Sequence, residues 1–171
     1  LVNEVLDLAK IESGTLRVER AWAVAGDTVD AALTLVRPQA AARKIVISER
    51  CEGTREAPYL GDEHRVRQVL TNLLANAVKF TDPGGRITVS CATTDEPPAS
   101  VNLPLGKPFV AIRIADTGVG ISPEHLARIF EPFTQGDGGG SNPYTRERSG
   151  TGLGLAISRQ LAQLMDGEIS V

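Results

Sequence analysis

Apolar residues recur along this chain at two periods, and the changes between them predict its elements. Leu1, Val5, Leu8 and Ile11, with Ala9, form a helical stripe that Ser13-Gly14 ends, glycine suiting the left-handed C-cap. TLRVERAWAV alternates as a strand does. Between about Asp27 and Arg43, Val29, Ala32, Leu33, Val36 and Ala40 predict a helix interrupted or kinked at Pro38. KIVISER reads as a strand, and APYL is a further candidate. The strongest helix runs from Asp62 to Lys79, with Asp62 as N-cap and Val66, Val69, Leu70, Leu73, Leu74 and Ala77 as a broad apolar face.

After a DPGG turn, RITVSCAT alternates as a strand, and FVAIRIAD follows as another. The stretch from Thr94 to Pro108 contains four prolines and reads as a long hairpin loop. SPEHLARIF predicts a short helix with Ser122 capping and Pro123 at its first position. TQGDGGGSNPYTRERSG is long and glycine-rich enough for a lid rather than a connector. A helix then runs from about Thr151 to Met165, Gly167 ends it, and EISV begins a strand. No internal repeat appears. Helices and strands mix without regular βαβ alternation, which predicts an α+β sandwich rather than a doubly wound sheet.

Composition narrows the function. The chain has 171 residues, 42% of them hydrophobic and 23% charged, as in a single soluble domain. A net charge of −3 and 4% aromatic residues provide neither the basic footprint nor the stacking platforms of a nucleic-acid binder. No apolar run approaches the ~18 residues of a membrane span, and LVNEVLDLAK lacks signal-peptide organisation. Cys51 and Cys91 show no metal spacing and are expected to be buried free thiols, consistent with a cytoplasmic setting.

One helix is chemically odd. Asn72, Asn76 and Lys79 fall at i, i+4 and i+7 and share a face, with Gln68 one turn earlier. Asparagine costs about 0.5–0.7 kcal/mol relative to alanine in a helix, so two of them beside leucines suggest polar groups needed in a half-buried place. A carboxamide oxygen suits Mg²⁺ that shares its coordination with phosphates, and Lys79 could meet those phosphates as a point charge. The alternative is a polar rim packed under a loop.

Two glycine ladders flank the lid. Asp116-Thr-Gly118-Val-Gly120-Ile121 follows a strand, where glycines admit a ligand closely and Asp116 can accept from an amino group such as that of adenine. The alternative is a tight turn capped by Asp116. Gly150-Thr151-Gly152-Leu153-Gly154 runs into a helix whose first amides form an anion site. A dinucleotide-binding fingerprint fails, because no strand precedes the glycines and their spacing is wrong. IFEPF, with Phe130 and Phe133, reads by itself as core packing. His64 and His125 read as surface residues.

In order and spacing, QVLTNLLANAVKFT, DTGVGIS, IFEPFTQ and GTGLGLAIS resemble the N, G1, F and G2 boxes of sensor histidine kinases. LVNEVLDLAKIESGTL resembles the end of their dimerisation helix. The resemblance implies a two-layer α/β sandwich of the Bergerat type, a mixed β-sheet covered on one face by helices. It divides the chain into a dimerisation-helix remnant at 1–14 and a catalytic ATP-binding domain at 15–171, its last strands truncated. It implies Asn76 as Mg²⁺ ligand, Asn72 beside the triphosphate and Lys79 as a phosphate contact. Asp116 would read adenine within a wall of Gly118, Gly120 and Ile121. Gly150, Thr151, Gly152, Leu153 and Gly154 would wrap the phosphates, Phe130 and Phe133 would anchor the lid, and Arg146 matches a lid arginine near the γ-phosphate.

ATP and Mg²⁺ are the implied cofactors. The implied partners are the phosphoacceptor dimerisation domain of a homodimer and a response regulator or fused receiver, with no nucleic acid and no membrane contact by this domain. Neither His64 nor His125 lies in the family's acceptor motif. Two other readings compete: an ATP hydrolase on the same fold, disfavoured because Asn72 stands near where such enzymes carry a glutamate base, and a degenerate docking module.

Overall fold

The computed structural model describes residues 2–96, 107–134 and 151–171. Three strands form a mixed sheet: β2 (Val46–Arg50) runs parallel to β4 (Arg86–Thr94), and β4 pairs antiparallel with β5 (Phe109–Asp116). A two-stranded ribbon of β1 (Ala21–Val24) and β3 (Pro58–Gly61) is antiparallel, with Trp22 opposite Leu60. The helices are α1 (Val2–Glu12), α2 (Ala25–Ala42), α3 (Glu63–Phe80), α4 (Pro123–Leu126) and α5 (Gly154–Leu164).

The alternation read in RITVSCAT places Ile87, Val89 and Cys91 on one face of β4, and these meet α2 and α3. Val29, Ala32, Leu33, Val36 and Ala40 are all buried there, as are Leu70, Leu74, Ala77 and Val78. A second cluster joins Leu8 of α1, Val69 of α3, and Leu153, Ile157 and Leu161 around α5. The layers are therefore sheet, then helices, as expected of the sandwich. Burying an aliphatic side chain contributes about 1.5–3 kcal/mol, so α3, which feeds both clusters, is the most strongly held element.

Local signals hold in detail at several boundaries. Asp62 accepts a hydrogen bond from the Arg65 amide at 3.1 Å, capping α3. Gly14 has φ +65° and closes α1.

Other expectations are corrected. The strand read over TLRVERAWAV shrinks to Ala21–Val24, because only that stretch finds a partner in β3. Pro38 lies inside α2, which runs through it without interruption; Thr34, whose carbonyl loses its helical donor, is exposed and can use water. Val5 is exposed, so among the described residues of that stripe burial is confined to its C-terminal part, at Leu8 and Ile11. Ser122 precedes α4, but its hydroxyl pairs with His125 Nδ1 at 2.8 Å instead of capping an amide. EISV is not a strand: Glu168 is tied to Arg159 and Gln163 of α5, and Ile169 packs on the second cluster.

The cysteines are not free thiols. Cys51 and Cys91 form a disulfide across a Cα–Cα distance of 4.6 Å. The β2–β4 register ends with Arg50 opposite Ser90, and the residue that follows each of them is a cysteine, Cys51 just past the end of β2 and Cys91 within β4. Parallel pairing thus brings together two residues 40 apart in sequence.

Candidate functional site

The site is assembled on α3. Asn72, Asn76 and Lys79 are half-buried along one of its faces, the environment that two helical asparagines suggest. Asn72 Nδ2 donates to Ser158 Oγ of α5 at 2.9 Å. Gly154 touches the same carboxamide, since a Cβ there would stand 2.5 Å from Asn72 Oδ1. The Asn76 side chain makes no hydrogen bond among the described residues, leaving its carboxamide available. Lys79 Nζ lies 4.9 Å from the Phe80 ring centroid, and partial burial lowers its pKa from the usual lysine value. Gln68 is diverted from this face: it donates to Asp7 of α1 at 2.8 Å and accepts from Arg65.

The first glycine ladder leaves the end of β5 and closes on the other end of α3. A Cβ on Gly118 would meet the Phe80 carbonyl oxygen at 2.5 Å. Asp116 Oδ1 accepts from the Gly118 amide at 2.8 Å, the capped turn foreseen as the alternative reading. Its other carboxylate oxygen makes no hydrogen bond among the described residues, and the residue is exposed, so the capped turn leaves one acceptor unused. Gly120 has φ +70°, and Ile121 is exposed.

The second ladder is packed. Gly152 has φ +72°, and a Cβ there would stand 2.8 Å from the Phe133 backbone. The Phe133 amide donates to the Gly152 carbonyl at 3.0 Å, which joins the IFEPF segment to this turn. Thr151 Oγ1 accepts from the Leu153 amide at 3.2 Å. Leu153 is 1% exposed and packs inside the second cluster, so its side chain belongs to the core. The core reading of IFEPF fails for Phe133, which has φ +62° and is 69% exposed; Phe130 is half-buried under the Arg159 guanidinium, 4.9 Å away. Arg146 and Gly150 lie outside the described residues.

Two contributors are given no site role by the sequence. Ser158 is 2% exposed; its signal was a hydroxyl one turn after Gly154 on an otherwise apolar stripe. Arg43 donates to the carbonyls of Val78 and of Lys79, the latter at 2.9 Å, supporting the negative end of α3. Among the described residues no cluster of three or more His, Cys, Asp or Glu could hold a metal, and no helix is long and apolar enough to cross a membrane. An open cavity of about 330 Å³ beside Leu35, His64 and Thr71 shares only Asn72 with the site.

A family model described as histidine kinase-, DNA gyrase B-, and HSP90-like ATPase matches residues 61–171. The chain belongs to this family. Within this ATPase family it resembles the sensor histidine kinase GacS of Pseudomonas protegens at 36% identity, covering all of this chain and 17% of that protein. The histidine protein kinase DivJ of Caulobacter vibrioides is also 36% identical, with 26% of its length covered. Among solved structures, full-length ShkA in complex with AMPPNP aligns with TM-score 0.71 and 30% identity, over 95% of this chain and 30% of that one. The mycobacterial sensor histidine kinase MprB aligns with TM-score 0.64 and 26% identity, over 85% of this chain and 79% of that one. The fold is that of the histidine kinase ATPase domain. The chain spans less than a fifth of the GacS length.

Proposed function

We propose that this domain binds Mg-ATP along α3 and donates the γ-phosphate to a histidine of a dimerisation domain, as the catalytic half of a two-component sensor kinase. The observation that carries this reading is that both glycine ladders close on one helix: Gly154 against Asn72, Gly118 against Phe80. These positions are about 12 Å apart along the helix axis, with Asn76 and Lys79 between them. The carboxamides fit Mg²⁺, a cation held by one or two protein oxygens together with substrate phosphates.

When bound, Mg²⁺ neutralises phosphate charge. Asn76 supplies the carboxamide oxygen toward it, and Asn72 flanks the triphosphate. The Lys79 ammonium offsets charge on the phosphate oxygens, more strongly for being partly desolvated. Asp116 accepts from the adenine amine with its free oxygen, while Gly118, Gly120 and Ile121 form the purine wall. Backbone amides around Gly150–Gly154 cradle the phosphates at the start of α5, and the Phe130–Phe133 segment and Arg146 serve the lid. An imidazole nitrogen attacks the γ-phosphorus in line, the bond to the β-bridging oxygen breaks with its electron pair going to ADP, and the imidazole proton passes to solvent. Residues 1–14 are the end of the dimerisation helix, and the receiver of the phosphate from histidine is a response regulator or a fused receiver domain. Direct activation of water is disfavoured, since the Asn72 carboxamide cannot take a proton.

Calorimetry with ATP tests the assignment. Mg²⁺ is expected to tighten binding by the wild-type domain, and Asn76→Ala to abolish that tightening. An Asn76→Ala variant that still responds to Mg²⁺ overturns its role.

A further inference from the structure

We propose that Ser158 is a positioning residue for this site, fixing which end of the Asn72 carboxamide faces the nucleotide; the proposal rests on the nucleotide reading above. A carboxamide is nearly symmetric in shape and opposite in chemistry at its two ends, so a half-buried asparagine on a helix has two orientations of similar bulk. Something must choose between them. Ser158 Oγ takes Nδ2 at 2.9 Å. Gly154 leaves room for the carboxamide itself, since a Cβ there would stand 2.5 Å from Oδ1 and 3.0 Å from Nδ2.

Both constraints come from one turn of α5, four residues apart. That turn is anchored by Leu153, Ile157 and Leu161 in the second cluster, so the serine is a fixed reference and not a mobile surface hydroxyl. Its burial to 2% exposure also keeps water from competing for the amide. Without the hydroxyl the Nδ2 group loses its partner, and the carboxamide turns to find another. The end of the carboxamide presented to the triphosphate would then no longer be fixed. Ser158 touches no substrate in this scheme; it acts through Asn72.

The experiment is a double-mutant cycle read by Mg-ATP calorimetry on the folded domain. Ser158→Ala is expected to weaken Mg-ATP by about three- to tenfold, the range for one neutral hydrogen bond. The same substitution in an Asn72→Ala background is expected to change affinity no further, and Ser158→Thr, which keeps the hydroxyl, to retain wild-type binding. A purely packing role predicts a lower melting temperature with unchanged affinity of the folded protein. Should Ser158→Ala not fold, Ser158→Cys keeps the volume with a poor acceptor and gives the same readout. The proposal is overturned if Ser158→Ala binds as tightly as wild type, or if its loss persists undiminished without Asn72. A wild-type domain that does not bind Mg-ATP overturns the nucleotide reading itself.

Discussion

Gly120 and Gly152 share a backbone conformation, φ +70° and +72°, yet their surroundings are opposite. Among the described residues nothing stands within 4 Å of a Cβ placed on Gly120, whereas one on Gly152 would press to 2.8 Å against the Phe133 backbone. The apolar residues between the glycines differ in the same way. Val119 is 66% exposed, and Leu153 is buried in the second core. One alternation of glycine and aliphatic therefore has two physical meanings. In the first ladder it leaves a strand end uncovered among the described residues; in the second it lets a helix start, a phenylalanine turn and an asparagine approach closer than side chains permit.

The strongest way to break this contrast is alanine substitution in both ladders. Gly152→Ala combines a left-handed conformation, about 1–2 kcal/mol, with overpacking against backbone, about 1–3 kcal/mol. Urea unfolding is expected to show a loss of about 3 kcal/mol, against about 1 kcal/mol for Gly120→Ala, which bears only the conformational term. Equal losses would remove the distinction.

Asp116→Ala sharpens it from the open side. The domain should stay folded, losing only the exposed turn bond to Gly118, while ATP binding weakens ten- to a hundredfold, the range for a hydrogen bond to a charged acceptor. An unchanged dissociation constant by calorimetry would exclude Asp116 from the purine wall.

Acid gives the smallest effect and acts on the packed side. Burial alone would raise the Glu168 pKa, but hydrogen bonds from Gln163, Ile169 and Arg159 reverse this and hold it below the usual 4.5. A depressed carboxylate adds stability above its unfolded pKa and loses it as pH falls through the folded value. Glu168→Gln is therefore expected to flatten the acid limb of a thermal-stability profile by less than about 1 kcal/mol, with the two proteins converging at the lowest pH. A wild-type-like limb would show that Glu168 does not tether the end of α5.

How much of this was legible depended on the range of the interaction. α2 and α3 were readable because a helix writes its buried face at a period of 3.6, and Asp62 because a cap acts three residues away. Asn72, Asn76 and Lys79 stood out because asparagine is out of place on an ordinary helix face. The Cys51–Cys91 bond was hidden because it follows from the parallel β2–β4 register, and nothing local encodes which strand will be neighbour. Ser158 was missed for the same reason: its partner is 86 residues away. Phe133 misled because an aromatic residue suggests burial, while its positive φ and its bond to Gly152 turn it outward.

Among the described residues α3 alone contributes side chains to both apolar clusters, Leu70 and Leu74 to one, Val69 and Leu73 to the other. Fraying at either side leaves it clamped by the other, so its backbone amides are expected to open to solvent only when the whole domain does. Asn72 and Asn76 thus ride on what is expected to be the slowest-exchanging stretch of the described residues.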